Sequence, residues 1–169
     1  HAGSLAKRIL EINPEIRISG IGGAFMRQSG ASIYCDIKDL AVIGFFDVLK
    51  KLPKFFALKK LILQNLKEEK PDAIILVDFS GFNLRLAKEI KKTIPTIYYI
   101  SPQVWASRPG RVNTIRNYIR KMIVFFKFEE EFYRRHGIDA TFIGHPLLDI
   151  VAPTMDEKEF LYHRTRISL

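Results

Sequence analysis

The feature that most constrains this chain is a repeated alternation in its second half. Short apolar runs recur at residues 73–78 ("AIILVD"), 96–100 ("TIYYI"), 122–126 ("MIVFF") and 140–144 ("ATFIG"). The first of these is apolar at successive positions, as in a strand buried on both faces. Residues 83–92, 108–120 and 129–136 lie between the runs and read as helices. Strands alternating with helices over short links predict an α/β fold, a parallel sheet covered by helices. In open sheets of this kind ligands bind beyond the carboxyl ends of the strands. The strand ends are therefore where chemistry is expected.

The first half follows the same pattern less regularly. Ala2, Leu5, Ala6, Ile9 and Leu10 recur at helical spacing from the first residues. A helix that opens so abruptly leads to the expectation that a strand and a turn precede it. Asn13 and Pro14 close this helix, residues 16–21 read as a strand, and Gly20, Gly22 and Gly23 accompany its end. Residues 31–34 are a further candidate strand, and residues 40–43 are too short to assign. Residues 45–69 read as helical. Pro53 is expected to interrupt them and start a second helix, where its missing N–H costs nothing. After Asp149 the pattern fades. Residues 1–150 are read as one domain and 151–169 as a linker or the beginning of another.

Lys and Arg number 27 against 18 Asp and Glu, a formal charge of +9. That excess favours an anionic partner: nucleic acid, acidic lipid or a phosphorylated substrate. The single cysteine, Cys35, excludes an internal disulfide and a cysteine-based zinc site, and fits a cytoplasmic setting. The histidines do not group at metal-ligand spacing, so no metal is expected. No apolar run approaches the ~20 residues needed to span a bilayer, which confines any membrane contact to the surface.

The strand ends carry four candidate groups. Gly22 and Gly23 let a backbone approach a sugar or phosphate, or simply form a tight turn with positive φ. Asp78 ends the run at 73–78, where a carboxylate faces the crevice and can take a proton from a substrate hydroxyl. It sits too early to cap a helix beginning near Asn83. The segment "SPQVWASRPGR" places Ser101, Gln103, Trp105, Arg108 and Arg111 after the run at 96–100. Trp105 suits a sugar ring or an apolar chain, or packing beneath its own loop. The arginines suit a phosphate. His145, in "GHPLLD", suits a phosphate contact, acid–base work or a hydrogen-bonded hinge.

Taken in order, "GIGGAFM", "LAVIGFFDVLKKLP", "PDAIILVDFSGFN", "TIYYISPQVWASR", "FEEEFY" and "FIGHPLLD" resemble the lipid-A-disaccharide synthases, from the first residue to about Asp149. The resemblance implies one Rossmann-like half, the acceptor side, of a GT-B-type glycosyltransferase. Such an enzyme joins UDP-2,3-diacylglucosamine to 2,3-diacylglucosamine 1-phosphate (lipid X), releasing UDP, with no cofactor. It implies that Asp78 is the general base. Gly22, Gly23, Asn83, Ser101, Gln103, Trp105, Arg108 and His145 are the implied substrate contacts. Three departures accompany it. The family's glycine-rich, acidic first turn is absent before His1. Ser107 stands where a second Trp is usual. The second domain, which carries most of the UDP site, is missing, and the tail "RTRISL" does not resemble the family's continuation. The chain alone is therefore expected to be inactive.

The basic, aromatic segment gains a use in that light. Phe45, Leu49, Leu52 and Phe56 fall on one helical face, broadened by Phe46, Val48 and Phe55, while Lys50, Lys51 and Lys54 lie mostly opposite. Such a helix can enter the headgroup boundary of an anionic membrane, or can simply face a core. The resemblance favours the membrane, implying a protein peripheral on the inner membrane of a Gram-negative-type bacterium. Two alternatives stand beside this reading: a GT-B glycosyltransferase with a soluble acceptor, and a basic nucleic-acid-binding module. The latter shows no recognised helix, zinc or RNA-binding signature, so no nucleic-acid partner is expected.

Overall fold

A computed structural model describes the backbone of residues 1–38, 48–107 and 109–145, and their side chains except those of 48–54. In chain order the elements are α1 (Ala2–Ile12), β1 (Ser19–Gly22), α2 (Ala24–Gln28), β2 (Ser32–Asp36), α3 (Val48–Glu69) and β3 (Ile74–Val77). They continue with α4 (Ser80–Ile90), β4 (Thr96–Tyr99), α5 (Arg111–Tyr118), β5 (Lys121–Val124), α6 (Lys127–Arg135) and β6 (Ala140–Phe142). The fold is the expected α/β, Rossmann-like type. Among the described residues all strand pairs are parallel, in a two-stranded sheet β1-β2 and a four-stranded sheet β3-β4-β5-β6, with helices around them.

The chain divides into two compact units between Asp72 and Ala73. In the second unit, Leu76, Tyr98, Met122 and Ala140 stand in register across all four strands. All four are buried, so the sheet is closed by one continuous row of packed side chains. The next row, Val77, Tyr99, Ile123 and Thr141, is only half-buried. Buried Leu84, Ala87 and Ile90 on α4 and Val112 and Ile115 on α5 supply the helical side of this core. Because the strands are parallel and in sequence order, all four carboxyl ends lie along one edge.

In the first unit β1 and β2 are joined through α2. Gly30 there adopts φ +94°, a conformation only glycine takes without strain. On α3, Leu58 and Ile62 are buried, and Glu69 at its end accepts a hydrogen bond from Ser19 of β1.

Two expectations are corrected. The helix α3 runs through Pro53 without interruption. Proline near the start of the described helix forfeits one i→i−4 bond, which the turns on either side outlast. The helix α4 starts at Ser80 rather than near Asn83, with Phe79 as its N-cap. Asp78 therefore immediately precedes the cap, and no side-chain cap bond is made there. The short run at 40–43 lies outside the described residues.

Candidate functional site

The ends of β3 and β4 carry unusual backbone. Six non-glycine residues have positive φ among the described residues. Lys70, Lys91 and Lys92 directly follow helices, where a left-handed residue commonly ends the last turn. Asp78 (φ 48°), Phe79 (φ 38°) and Ile100 (φ 68°) instead follow strands. Aspartate tolerates this region because its short polar side chain bonds locally, whereas a β-branched isoleucine there is a true outlier. Such residues cost about 1–3 kcal/mol each and persist only where surrounding contacts fix them.

Those contacts are present at Asp78. The Asn83 amide donates to the carbonyls of Val77 (3.1 Å) and Asp78 (2.8 Å). The Tyr98 hydroxyl donates to the same Asp78 carbonyl at 2.5 Å, and the Asp78 N–H bonds the Tyr99 carbonyl at 3.2 Å. Burial pushes the Tyr98 phenol far above its ordinary range, which keeps it a hydrogen-bond donor. Asn83 and Tyr98 are buried while Asp78 is exposed. The turn is thus gripped from within by its backbone, and Asp78 itself stays exposed. Arg111 adds a bond from α5 to the Ser80 hydroxyl (3.0 Å), tying down the first turn of α4.

The loop after β4 is held differently. Glu129, in the first turn of α6, is only 3% exposed. Its Oε1 accepts hydrogen bonds from the Ser101 hydroxyl (2.7 Å) and the Trp105 indole N–H (3.1 Å). One helical turn on, the Tyr133 hydroxyl donates to the Pro102 carbonyl at 2.7 Å, its own pKa raised chiefly by burial. Pro102 and Val104 are buried, whereas Gln103 is exposed and Trp105 is 41% exposed. The Trp105 ring meets Phe128 edge-on at 4.9 Å, and Phe128 stacks on Phe126 at 5.7 Å. After β6, Gly144 turns the chain at φ +85°, and the His145 ring lies 5.5 Å from both Phe125 and Phe126.

Asp78, Asn83, Ser101, Gln103, Trp105 and His145 therefore all follow strand ends of one sheet, those of β3, β4 and β6. Arg108 lies outside the described residues. Sequence reasoning passed over Glu129, Tyr133, Phe126 and Phe128. The quoted run "FEEEFY" contained Glu129, Tyr133 and Phe128, and a carboxylate in the first turn of a helix that follows a strand was the available signal.

Gly22 and Gly23 belong to the first unit and are described there alone. Neither has positive φ; Gly23 stands at φ −117°. At Gly22 the reason is space. A Cβ on Gly22 would collide with the Met26 side chain, and one on Gly23 would stand 3.2 Å from Ile37. On α3, Phe56 is 62% exposed, with the Lys59 ammonium 5.6 Å from its ring centre, and Phe55 is half-buried. Phe45 and Phe46 lie outside the described residues, as do the side chains of Val48, Leu49 and Leu52. Among the described residues no helix is long and apolar enough to cross a membrane. Likewise, no group of three or more His, Cys, Asp or Glu among them is placed to hold a metal.

Parallel strands alternating with helices, with the candidate residues at the carboxyl edge, place the fold in the Rossmann-like α/β class. Comparison with known proteins narrows the class. The family model described as lipid-A-disaccharide synthetase matches residues 1–167. That match continues well past Asp149, so it also takes in most of the tail that sequence reading had set apart. The chain is 42% identical over 162 residues to a lipid-A-disaccharide synthase of Syntrophus aciditrophicus, covering 95% of this chain and 42% of that protein. It is 40% identical over 171 residues to lipid-A-disaccharide synthase 1 of Legionella pneumophila, covering 100% and 43%. A synthase of Koribacter versatilis is 38% identical, with coverage of 95% and 42%. The chain belongs to the lipid-A-disaccharide synthase family, a family of glycosyltransferases, and spans less than half the length of these relatives.

Proposed function

We propose that this chain is the acceptor-side half of a glycosyltransferase that joins UDP-2,3-diacylglucosamine to lipid X. A hydroxyl oxygen of the acceptor bonds to the anomeric carbon of the donor sugar. The bond from that carbon to UDP breaks, and UDP leaves with the electron pair. Asp78 takes the hydroxyl proton. The observation that carries this reading is the exposed Asp78 carboxylate on a left-handed turn at the end of β3, in a chain of this family. Gln103, the half-exposed Trp105 ring and His145 lie along the same edge to meet the sugar and its acyl chains. Arg108 and the Gly22–Gly23 turn are proposed as further contacts. Ser101 and Asn83 serve from behind, since their side-chain donors are turned to Glu129 and to the backbone.

Donor recognition is proposed to lie on the part of the enzyme that this chain does not span. A UDP-release assay with both lipid substrates tests the reading. The full-length enzyme is expected to release UDP and the 169-residue chain none, because catalysis needs both substrates in near-attack geometry. Robust release by the chain alone would overturn the division of labour. We further propose that the Phe45–Phe56 face docks on an anionic inner-membrane surface. The exposure of Phe56 beside Lys59 supports this, since lysines near such a surface add about 1 kcal/mol each. Replacing Leu49, Leu52 and Phe56 with serine should release the protein from anionic vesicles. Retention equal to wild type would favour a soluble acceptor.

A further inference from the structure

Glu129 is a buried carboxylate that the proposed chemistry does not use. Burying a carboxylate is costly unless it is hydrogen-bonded, so its placement needs a reason. A helix that only had to cover the sheet would be served by an apolar residue at this position. Here the carboxylate lies in the first turn of α6, where the helix dipole favours negative charge. Its Oε1 takes both the Ser101 hydroxyl and the Trp105 indole N–H, two neutral donors four residues apart in the same loop. Tyr133, four residues along α6 and so on the same helix face, takes the Pro102 carbonyl. One face of one helix thereby grips the loop at Ser101, Pro102 and Trp105. The grip begins immediately after Ile100, whose left-handed backbone must be held by something.

We propose that Glu129 is a positioning residue: it fixes the Ser101–Trp105 loop so that Gln103 and the Trp105 ring face the lipid acceptor. Rotation of the Trp105 indole is the first freedom its loss would restore, because the ring is otherwise 41% exposed and held mainly at its edge by Phe128. The inference rests on the acceptor-side reading above for the identity of the ligand, but not for the clamp itself. The two are separable by experiment.

Trp105 is the only tryptophan of the chain, so intrinsic fluorescence reports the loop directly. In the 169-residue chain, Glu129→Ala should shift Trp105 emission to the red and raise its acrylamide quenching. Glu129→Gln, which keeps an acceptor oxygen in place, should stay close to wild type. Tyr133→Phe, a milder change that retains the ring, should move the signal slightly in the same direction and serves if Glu129→Ala does not fold. In the full-length enzyme, Glu129→Ala should raise KM for lipid X, up to about 10²-fold for a misplaced contact loop, and leave KM for the UDP-sugar unchanged. A residue that only stabilised the fold would lower the active fraction and leave both KM values alone. Wild-type quenching in Glu129→Ala, or equal damage in the alanine and glutamine variants, would overturn the clamp. Loss of the clamp signal together with an unchanged KM for lipid X would overturn its role in acceptor binding. Absence of UDP release by the wild-type full-length enzyme would instead sink the proposed function and leave the fluorescence result standing.

Discussion

Asp78 and Glu129 are carboxylates on the same edge of the same sheet, and the fold uses them in opposite ways. At Asp78 the backbone is bonded by Asn83, Tyr98 and Tyr99 while the residue is exposed. At Glu129 the side chain itself is buried and takes two donors from a neighbouring loop. One carboxylate is presented and the other is consumed. The difference teaches that a charge at a strand end becomes available for chemistry only when other residues do the structural work around it. Asn83 and Tyr98 do that work for Asp78, and at Glu129 the carboxylate does it.

This contrast can be broken most directly at Asp78. In the full-length enzyme, Asp78→Asn should lower kcat by about 10²–10⁴-fold with little change in KM, because the amide keeps the shape and cannot take the proton. Urea unfolding of the same variant should differ from wild type by no more than about 0.5 kcal/mol, as for other exposed sites. Near-normal turnover would return Asp78 to a structural role. Asn83→Ala inverts the pattern. It strips a donor from the Val77 and Asp78 carbonyls, and unpaired buried polar groups cost about 1–3 kcal/mol. A fall of that size in the urea-derived stability is expected, and an unchanged midpoint would mean that the turn is held without it.

Gly22→Ala sharpens the comparison from the other unit, where packing rather than hydrogen bonding sets the requirement. The new methyl collides with Met26, and overpacking of this kind costs about 1–3 kcal/mol. Adding Met26→Ala should recover part of the loss, whereas no recovery would point to the backbone.

The smallest expected effect is a pH dependence. Burial raises the pKa of both Tyr98 and Tyr133 in the folded state. Their contribution to stability is therefore fully present below about 10, the ordinary value for an unfolded tyrosine, and is lost as pH climbs above it toward the folded values. Stability should decline in that window with a slope that Tyr98→Phe and Tyr133→Phe each flatten. Identical slopes in wild type and both variants would assign the alkaline loss to other groups.

Much of this was legible in the sequence. Continuous apolar runs separated by helical segments are a local signal, and they specified an α/β fold of parallel strands. The same runs located the strand ends, and with them Asp78, the 101–107 loop and His145. Local pattern was less reliable at boundaries. Pro53 was expected to break α3 because proline lacks an N–H, yet the helix carries it. Gly22 and Gly23 were candidates for positive φ, yet neither adopts it, and at Gly22 the constraint is want of room.

What the sequence by itself determined is where the backbone turns and which residues stand at the turns, because periodicity and turn chemistry act between near neighbours. Only the tertiary structure decided which side chains remain available there. Glu129 meets its donors across 28 and 24 residues, Tyr133 meets Pro102 across 31, and Tyr98 meets Asp78 across 20. Those pairings depend on the register of β3, β4 and β5 and on the face that α6 turns toward the loop. No local pattern carries that information, since a buried hydrogen bond is satisfied by whichever partner the packing brings within reach.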